Sequence, residues 1–265
     1  MNRRDSLKFM GAAAGLMAVP ALARTNTPQV MTQAGPVIGQ SKSGVDVFLG
    51  LRYGQDTGPN NGPNNGKARF RPPVKPKPWT KPYIADHYGA AAPQAGTPDP
   101  YGQSEDCLFL NIWTPQASAG KRRPVMVYIH GGAYNTGSGG SPLYDGTNLA
   151  LRGDVVVVTL NHRLNAFGYL YLARLEHEVT GAPGPLAFSG NCGQLDIHLG
   201  LEWVRDNIAA FGGDPGCIMV FGQSGGGAKI ATLLATPAAK GLFHRAATMS
   251  SRSQLPAPVM PPSGP

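Results

Sequence analysis

Cys217-Ile218-Met219-Val220-Phe221-Gly222-Gln223-Ser224-Gly225-Gly226-Gly227-Ala228-Lys229-Ile230 is the stretch on which the fold turns. Residues 217–221 are apolar without alternation, the pattern of a strand covered on both faces. Residues 225–234 are small and apolar enough for a helix. Between them lies Gly222-Gln223-Ser224-Gly225-Gly226, a Gly-x-Ser-x-Gly pattern in the strand–turn–helix setting that gives it meaning. A serine at so sharp a turn needs strained torsions and small neighbours. The turn lifts its hydroxyl above the sheet, and the helix aims its first N–H groups at developing negative charge. Ser224 is therefore a candidate nucleophile, set against the plain alternative of a glycine-rich strand-to-helix loop. A phosphate loop is excluded, because Lys229 is not followed by a hydroxyl residue at the required spacing. A dinucleotide fingerprint needs a later acidic residue, and no Asp or Glu follows Asp214.

Upstream, the apolar run 125–129 ends in His130-Gly131-Gly132-Ala133-Tyr134. This stretch resembles the His-Gly-Gly-Gly loop of esterases and lipases, where small residues let backbone N–H groups approach a tetrahedral intermediate. Ala133 stands in place of a third glycine, and its methyl group calls for a negative φ. Residues 107–113 and 155–160 are further strand candidates, and 29–53 reads as a short antiparallel meander. Residues 195–211 carry helical spacing at Leu195, Leu199, Val204, Ile208 and Phe211. Strands alternating with helices predict an α/β fold, with a central, mostly parallel sheet and helices on both faces.

These motifs and the segments between them resemble the type-B carboxylesterase/lipase family, which includes para-nitrobenzyl-type esterases and cholinesterases. The likeness runs from about Val30 to Met249. It is carried further by Ser104-Glu105-Asp106-Cys107-Leu108, by Asn161-His162-Arg163-Leu164 with Phe167-Gly168, by Gly190-Asn191 with Leu195-Asp196, by Phe211-Gly212-Gly213-Asp214-Pro215, and by Lys240-Gly241-Leu242-Phe243-His244-Arg245-Ala246. The resemblance implies an α/β-hydrolase fold and a serine esterase that forms an acyl-enzyme from a small-molecule carboxylic ester. It implies Ser224 as nucleophile, oxyanion-hole N–H groups from Gly132, Ala133 and Gly225, and Gly131 shaping the loop. It also implies structural ion pairs Glu105–Arg69 and Asp196–Arg163, so the neighbouring acids Glu105 and Asp106 read as scaffold rather than a glycosidase-like dyad. It calls for no cofactor.

In this fold the acid and the histidine of the triad follow the serine. The last 51 residues contain no Asp or Glu, and the one later histidine, His244, falls in a structural segment of the family. By this resemblance the chain carries the N-terminal half of the fold, cut after the elbow helix and about one further strand. Two readings follow: an ester hydrolase by family, with little turnover of its own, or a non-catalytic remnant or pseudoenzyme with at most weak ligand binding. The open sheet side would favour aggregation.

Composition sets the frame. A chain of 265 residues, 42% apolar, is long enough for one large core. Residues 1–23 read as a twin-arginine-like export signal: Arg3-Arg4 and Lys8, then an apolar run, then Ala21-Leu22-Ala23. General secretion is the alternative. A membrane anchor is disfavoured by the shortness of the run and by Pro20. The expected location is periplasmic or secreted, with residues 24–250 as a partial α/β-hydrolase domain and 251–265 as a proline-rich tail, unstructured or out of frame. The signal holds Arg3, Arg4, Lys8 and Asp5, so it takes +2 of the net +8 and leaves +6. Much of this charge lies at Lys67, Arg69, Arg71, Lys75, Lys77 and Lys81 among five prolines. That is a solvated loop rather than a nucleic-acid surface. Gly58-Pro59-Asn60-Asn61, repeated as Gly62-Pro63-Asn64-Asn65, reads as a flexible insertion. Cys107, Cys192 and Cys217 are expected as free thiols, with Cys217 on a buried strand, and none has metal-ligand spacing. Oligomeric state is left open.

Overall fold

The computed structural model describes residues 27–59, 68–96 and 99–251. Residues 1–23, expected as an export signal, most of the Gly-Pro-Asn-Asn repeat, Lys67 and the expected tail from Arg252 lie outside them. The strands are β1 (Gln29–Met31), β2 (Pro36–Ile38), β3 (Gln40–Lys42), β4 (Val45–Arg52), β5 (Tyr83–Ile84), β6 (Phe109–Thr114), β7 (Arg123–Ile129), β8 (Val156–Leu160), β9 (Gly213–Gln223) and β10 (Arg245–Met249). The helices are α1 (Thr147–Gly153), α2 (Asn165–Tyr169), α3 (Ala173–Thr180), α4 (Cys192–Asn207) and α5 (Gly225–Leu234).

Seven strands form the main sheet in the order β10-β9-β7-β8-β6-β4-β3. Pairings among β8, β7, β9 and β10 are parallel, and those from β8 through β6 and β4 to β3 are antiparallel. The parallel half carries both glycine motifs. The expected 29–53 meander is divided between two sheets: β1 and β2 join β5 in a small sheet, while β3 and β4 form the antiparallel edge of the large one. Gly39 marks the split, since a Cβ there would press into the Val47 carbonyl and the Phe48 ring.

The larger core lies between the sheet and α4 with α5. Val125, Val127 and Ile129 of β7, Val156, Val158 and Leu160 of β8, and Ile218 and Val220 of β9 meet Ile197, Leu201, Val204, Ile230 and Leu233. Each such side chain contributes about 1.5–3 kcal/mol by leaving water. Helix α4 begins three residues before the expected start at 195, and Leu195 is only half-buried. A 3-10 turn, Ile208–Phe211, ends it, and Gly212 at φ +86° turns the chain into β9.

The opposite face carries a smaller core, in which Ala150 of α1 packs with Val45, Val47, Trp113, Val155 and Val157. This layer covers β4, β6 and β8. It does not extend over β9 and β10, so Cys217, Met219 and Phe221 remain half-buried, as do Met126 and Tyr128 of β7. The expectation that the apolar runs 125–129 and 217–221 are strands covered on both faces is thereby corrected, and with it the placing of Cys217 on a buried strand; Cys217 is half-buried, and all three cysteines are free thiols. On this face Met126 packs at the margin of the smaller core, the Tyr144 ring lies 4.5 Å from that of Tyr128, and Arg245 Nη1 reaches Cys217 Sγ at 3.4 Å. Among the described residues no helix is long and apolar enough to cross a membrane.

Candidate active site

Strands β7 and β9 are parallel neighbours, with Ile129 opposite Gly222. Their carboxyl-terminal turns therefore emerge side by side, where parallel sheets build their sites. Ser224 sits between β9 and α5 at φ 55°, ψ −123°, a conformation that costs a non-glycine residue about 1–3 kcal/mol. The turn is held by Ser224 N–H donating to Met249 O at 2.8 Å and by Ala228 N–H donating to Ser224 O at 3.1 Å.

The glycines of the pattern are explained by backbone contact. A Cβ on Gly222 would stand 2.6 Å from Ile129 O, and one on Gly226 would collide with the same carbonyl. A side chain on Gly225 would strike the backbone of Ala133. A Cβ on Gly131 would lie 2.7 Å from Gln223 O and 3.5 Å from Ser224 Cβ. The 131–133 loop is thus packed directly on the serine turn. All five predicted residues, Gly131, Gly132, Ala133, Ser224 and Gly225, come together at this point.

Ala133 departs from expectation. Its φ is +52°, in the left-handed region that an L-residue enters at a cost of about 1–2 kcal/mol. The negative φ inferred from its methyl group is therefore wrong. Tertiary contacts impose the conformation. Gly132, at φ +84°, accepts the N–H groups of Asn135 and Thr136, and the Ala133 carbonyl accepts a 2.6 Å hydrogen bond from Lys229 Nζ.

Beneath the loop lies a buried basic cluster that sequence reasoning missed. The His130 and His162 rings stack 4.5 Å apart with their planes 4° from parallel. His130 Nδ1 meets Gly131 O at 2.9 Å and His162 Nδ1 meets Arg163 O at 3.0 Å. Burial first, and then the neighbouring Lys229 ammonium, lowers His130 to about 4. His162 lies well below the usual histidine value, through burial first, then through coupling to the His130 ring, which disfavours protonating both, and through the Lys229 charge. Both imidazoles are therefore neutral at pH 7 and weak as bases. One signal was available: Lys229 is the only charged residue of α5.

The acidic residues are engaged elsewhere. Asp196 is fully buried, and its Oδ1 and Oδ2 accept from Arg163 Nη2 and Nε at 2.7 and 2.8 Å. Glu105 pairs with Arg69 through both carboxylate oxygens, as the resemblance implied. Asp106 forms a second bidentate pair, with Arg52, at 2.6 and 2.7 Å. His244 lies at the opposite end of β10 from the serine turn, its Nδ1 accepting from Ile218 N–H at 3.2 Å. Five strand residues at about 3.3 Å each place it roughly 16 Å from Ser224. No described residue offers Ser224 Oγ a hydrogen bond, and among the described residues no cluster of His, Cys, Asp and Glu could hold a metal ion.

Comparison with known proteins follows this geometry. A model of the carboxylesterase family matches residues 26–263. The para-nitrobenzyl esterase of Bacillus subtilis (strain 168) is 44% identical over 232 residues, 85% of this chain and 44% of that protein. The fumonisin B1 esterase of Sphingopyxis macrogoltabida is 36% identical over 243 residues, 89% of this chain and 42% of that protein. A carboxylesterase of Geobacillus stearothermophilus superposes with a TM-score of 0.75 at 44% identity, over 83% of this chain and 42% of that one. The chain spans less than half the length of these relatives. Its fold is that of the α/β-hydrolases, and the chain belongs to the carboxylesterase family.

Proposed function

We propose that this chain carries the nucleophile and oxyanion-binding portion of a serine hydrolase acting on small-molecule carboxylic esters. Ser224 attacks the carbonyl carbon. The N–H groups of Gly132, Ala133 and Gly225 receive the developing oxyanion, and Gly131 shapes the loop that presents them. The observation that carries this reading is the strained Ser224 turn, packed between the start of α5 and the 131–133 loop. Attack by a serine hydroxyl also needs a base to take its proton and an acid to orient that base. No Asp or Glu follows Asp214 in the 265 residues, and the two imidazoles beneath the loop are neutral and depressed in basicity. Turnover by the 265-residue chain is therefore low or absent.

The same observation favours a second reading, a non-catalytic remnant or pseudoenzyme that binds ligand weakly. A fluorophosphonate probe separates the two. Labelling of Ser224, absent in Ser224→Ala, supports an activated nucleophile; an unlabelled, folded wild-type chain supports the remnant. Turnover of p-nitrophenyl acetate above the Ser224→Ala background, at the rate of a longer relative, would contradict the low activity proposed. Residues 1–23 are proposed as a twin-arginine-like export signal that directs residues 24–250 to the periplasm or outside the cell. Arg3-Arg4, the apolar run and Ala21-Leu22-Ala23 support it, and fractionation of cells expressing an Arg3→Lys, Arg4→Lys variant tests it.

A further inference from the structure

We propose that Lys229 is a positioning residue of the oxyanion loop: its buried ammonium, through the hydrogen bond to the Ala133 carbonyl, holds Ala133 in the left-handed conformation that packs it against Gly225. The inference rests on the reading of residues 131–133 as an oxyanion-binding loop and adds a device that sets its shape.

Three observations carry it. First, Lys229 is fully buried on an otherwise uncharged helix. A buried ammonium is retained only where it is paired, and the partner it has is the Ala133 carbonyl at 2.6 Å. Second, Ala133 pays for a positive φ that no glycine here relieves. A charge-assisted hydrogen bond to its own carbonyl is of the right size to offset that strain. Third, α5 supplies both the clamp and Gly225, whose missing side chain makes room for Ala133. One rigid helix therefore fixes the serine turn and the loop relative to each other.

The groups facing Nζ are few. Tyr134 of the loop places its ring 5.1 Å away. His130 at the end of β7 and His162 after β8 both feel its charge and are themselves held neutral. From α4, Gln194 Nε2 donates to the backbone carbonyl of Lys229 at 3.1 Å, not to Nζ. Burial lowers Lys229 to about 8, so the clamp is charged at pH 7 and loses its charge as pH rises through 8.

This gives two effects of opposite sign. The loop loosens as Lys229 deprotonates. Global stability moves the other way: the unfolded lysine stays protonated up to its ordinary value of 10.5, so between 8 and 10.5 the folded state binds fewer protons and Lys229's contribution to stability rises with pH. A lysine that served only as core filling would alter the second quantity and not the first.

The test is hydrogen exchange by mass spectrometry on the complete chain, as wild type, Lys229→Met and Lys229→Arg, at pH 7 and pH 9.5, corrected for the intrinsic effect of pH on exchange. Lys229→Met is expected to raise exchange of residues 132–136 about tenfold at pH 7, the loss of one charge-assisted hydrogen bond, with residues 197–204 of α4 unchanged. Wild type is expected to approach the Lys229→Met rate at pH 9.5, and Lys229→Arg, charged at both values, to stay slow. Equal loop exchange in wild type and Lys229→Met at pH 7, or an increase spread through α4, overturns the proposal. Should Lys229→Met fail to fold, a wild-type loop whose corrected exchange is flat from pH 7 to 9.5 overturns it alone. Exchange needs no turnover. An unlabelled Ser224 in the probe experiment would count against the hydrolase reading, while exchange still decides the clamp.

Discussion

Arg163 illustrates how one side chain ties distant segments together. It follows β8, reaches Asp196 on α4 through three hydrogen bonds, one of them from its own backbone N–H, and donates to Arg71 O at 2.9 Å. Both partners are buried, so removing one leaves the other charged and unpaired in a medium that solvates it poorly. Asp196→Ala is expected to lower the unfolding free energy by about 3–5 kcal/mol, read from urea unfolding followed by tryptophan fluorescence. A loss under about 1 kcal/mol, the size of an exposed pair, would show that water reaches the site. Arg69–Glu105 and Arg52–Asp106 are more exposed and contribute less. The resemblance had paired Glu105 with Arg69 and Asp196 with Arg163. Nothing in the sequence paired Arg52 with Asp106, because 54 residues separate them.

Among the secondary-structure elements, the serine turn and α5 were the most legible, while β9 starts at Gly213, four residues before the expected strand at 217. The helix expected over 225–234 has those bounds, because small apolar residues after a glycine-rich turn admit few other outcomes. The helix expected over 195–211 was less well placed. Its 3.6-residue period was clear, but the spacing was read through Leu195, which is only half-buried, and passed over Ile197 and Leu201, which are core. A helix with buried residues on a broad stripe can be phased in several ways, and only the packed sheet selects one. The glycine requirement is local and strict. Gly226→Ala places a methyl group into the Ile129 carbonyl, and either α5 or the end of β7 must move. A drop of about 1–3 kcal/mol in stability is expected from the overpacking, together with loss of any probe labelling of Ser224. A variant that melts and labels like wild type would show that the turn has slack.

Over the whole sheet, the unevenness of cover matters most. One face is packed by α4 and α5 throughout the parallel half; on the other, the core built on α1 covers β4, β6 and β8 and reaches β7 only at Met126. No described residue pairs with the outer edge of β10, and Met249, opposite Gln223, is exposed at the end of the face that carries the half-buried Phe221 and Met219. An unpaired strand edge next to an open apolar face is a site of association. The purified chain is expected to self-associate at micromolar concentration. Thr248→Lys with Met249→Lys should shift it toward monomer, as followed by size-exclusion chromatography with light scattering. A wild-type chain that is monodisperse and melts cooperatively as a monomer would contradict this.

Identity of class, the serine turn, the glycine loop and the position of most strands follow from order along the chain. Local chemistry decides them: apolar runs, glycine-rich turns and a Gly-x-Ser-x-Gly pattern restrict the backbone wherever they occur. Strand order, the adjacency of the 131–133 loop to Ser224, the positive φ of Ala133, the burial of Lys229 and the open face of β9 and β10 follow instead from contacts between residues far apart in the chain. Ala133 is the clearest case. Its own methyl group argues for a negative φ, and a lysine 96 positions away, closing on its carbonyl in a low-dielectric interior, helps hold the opposite sign.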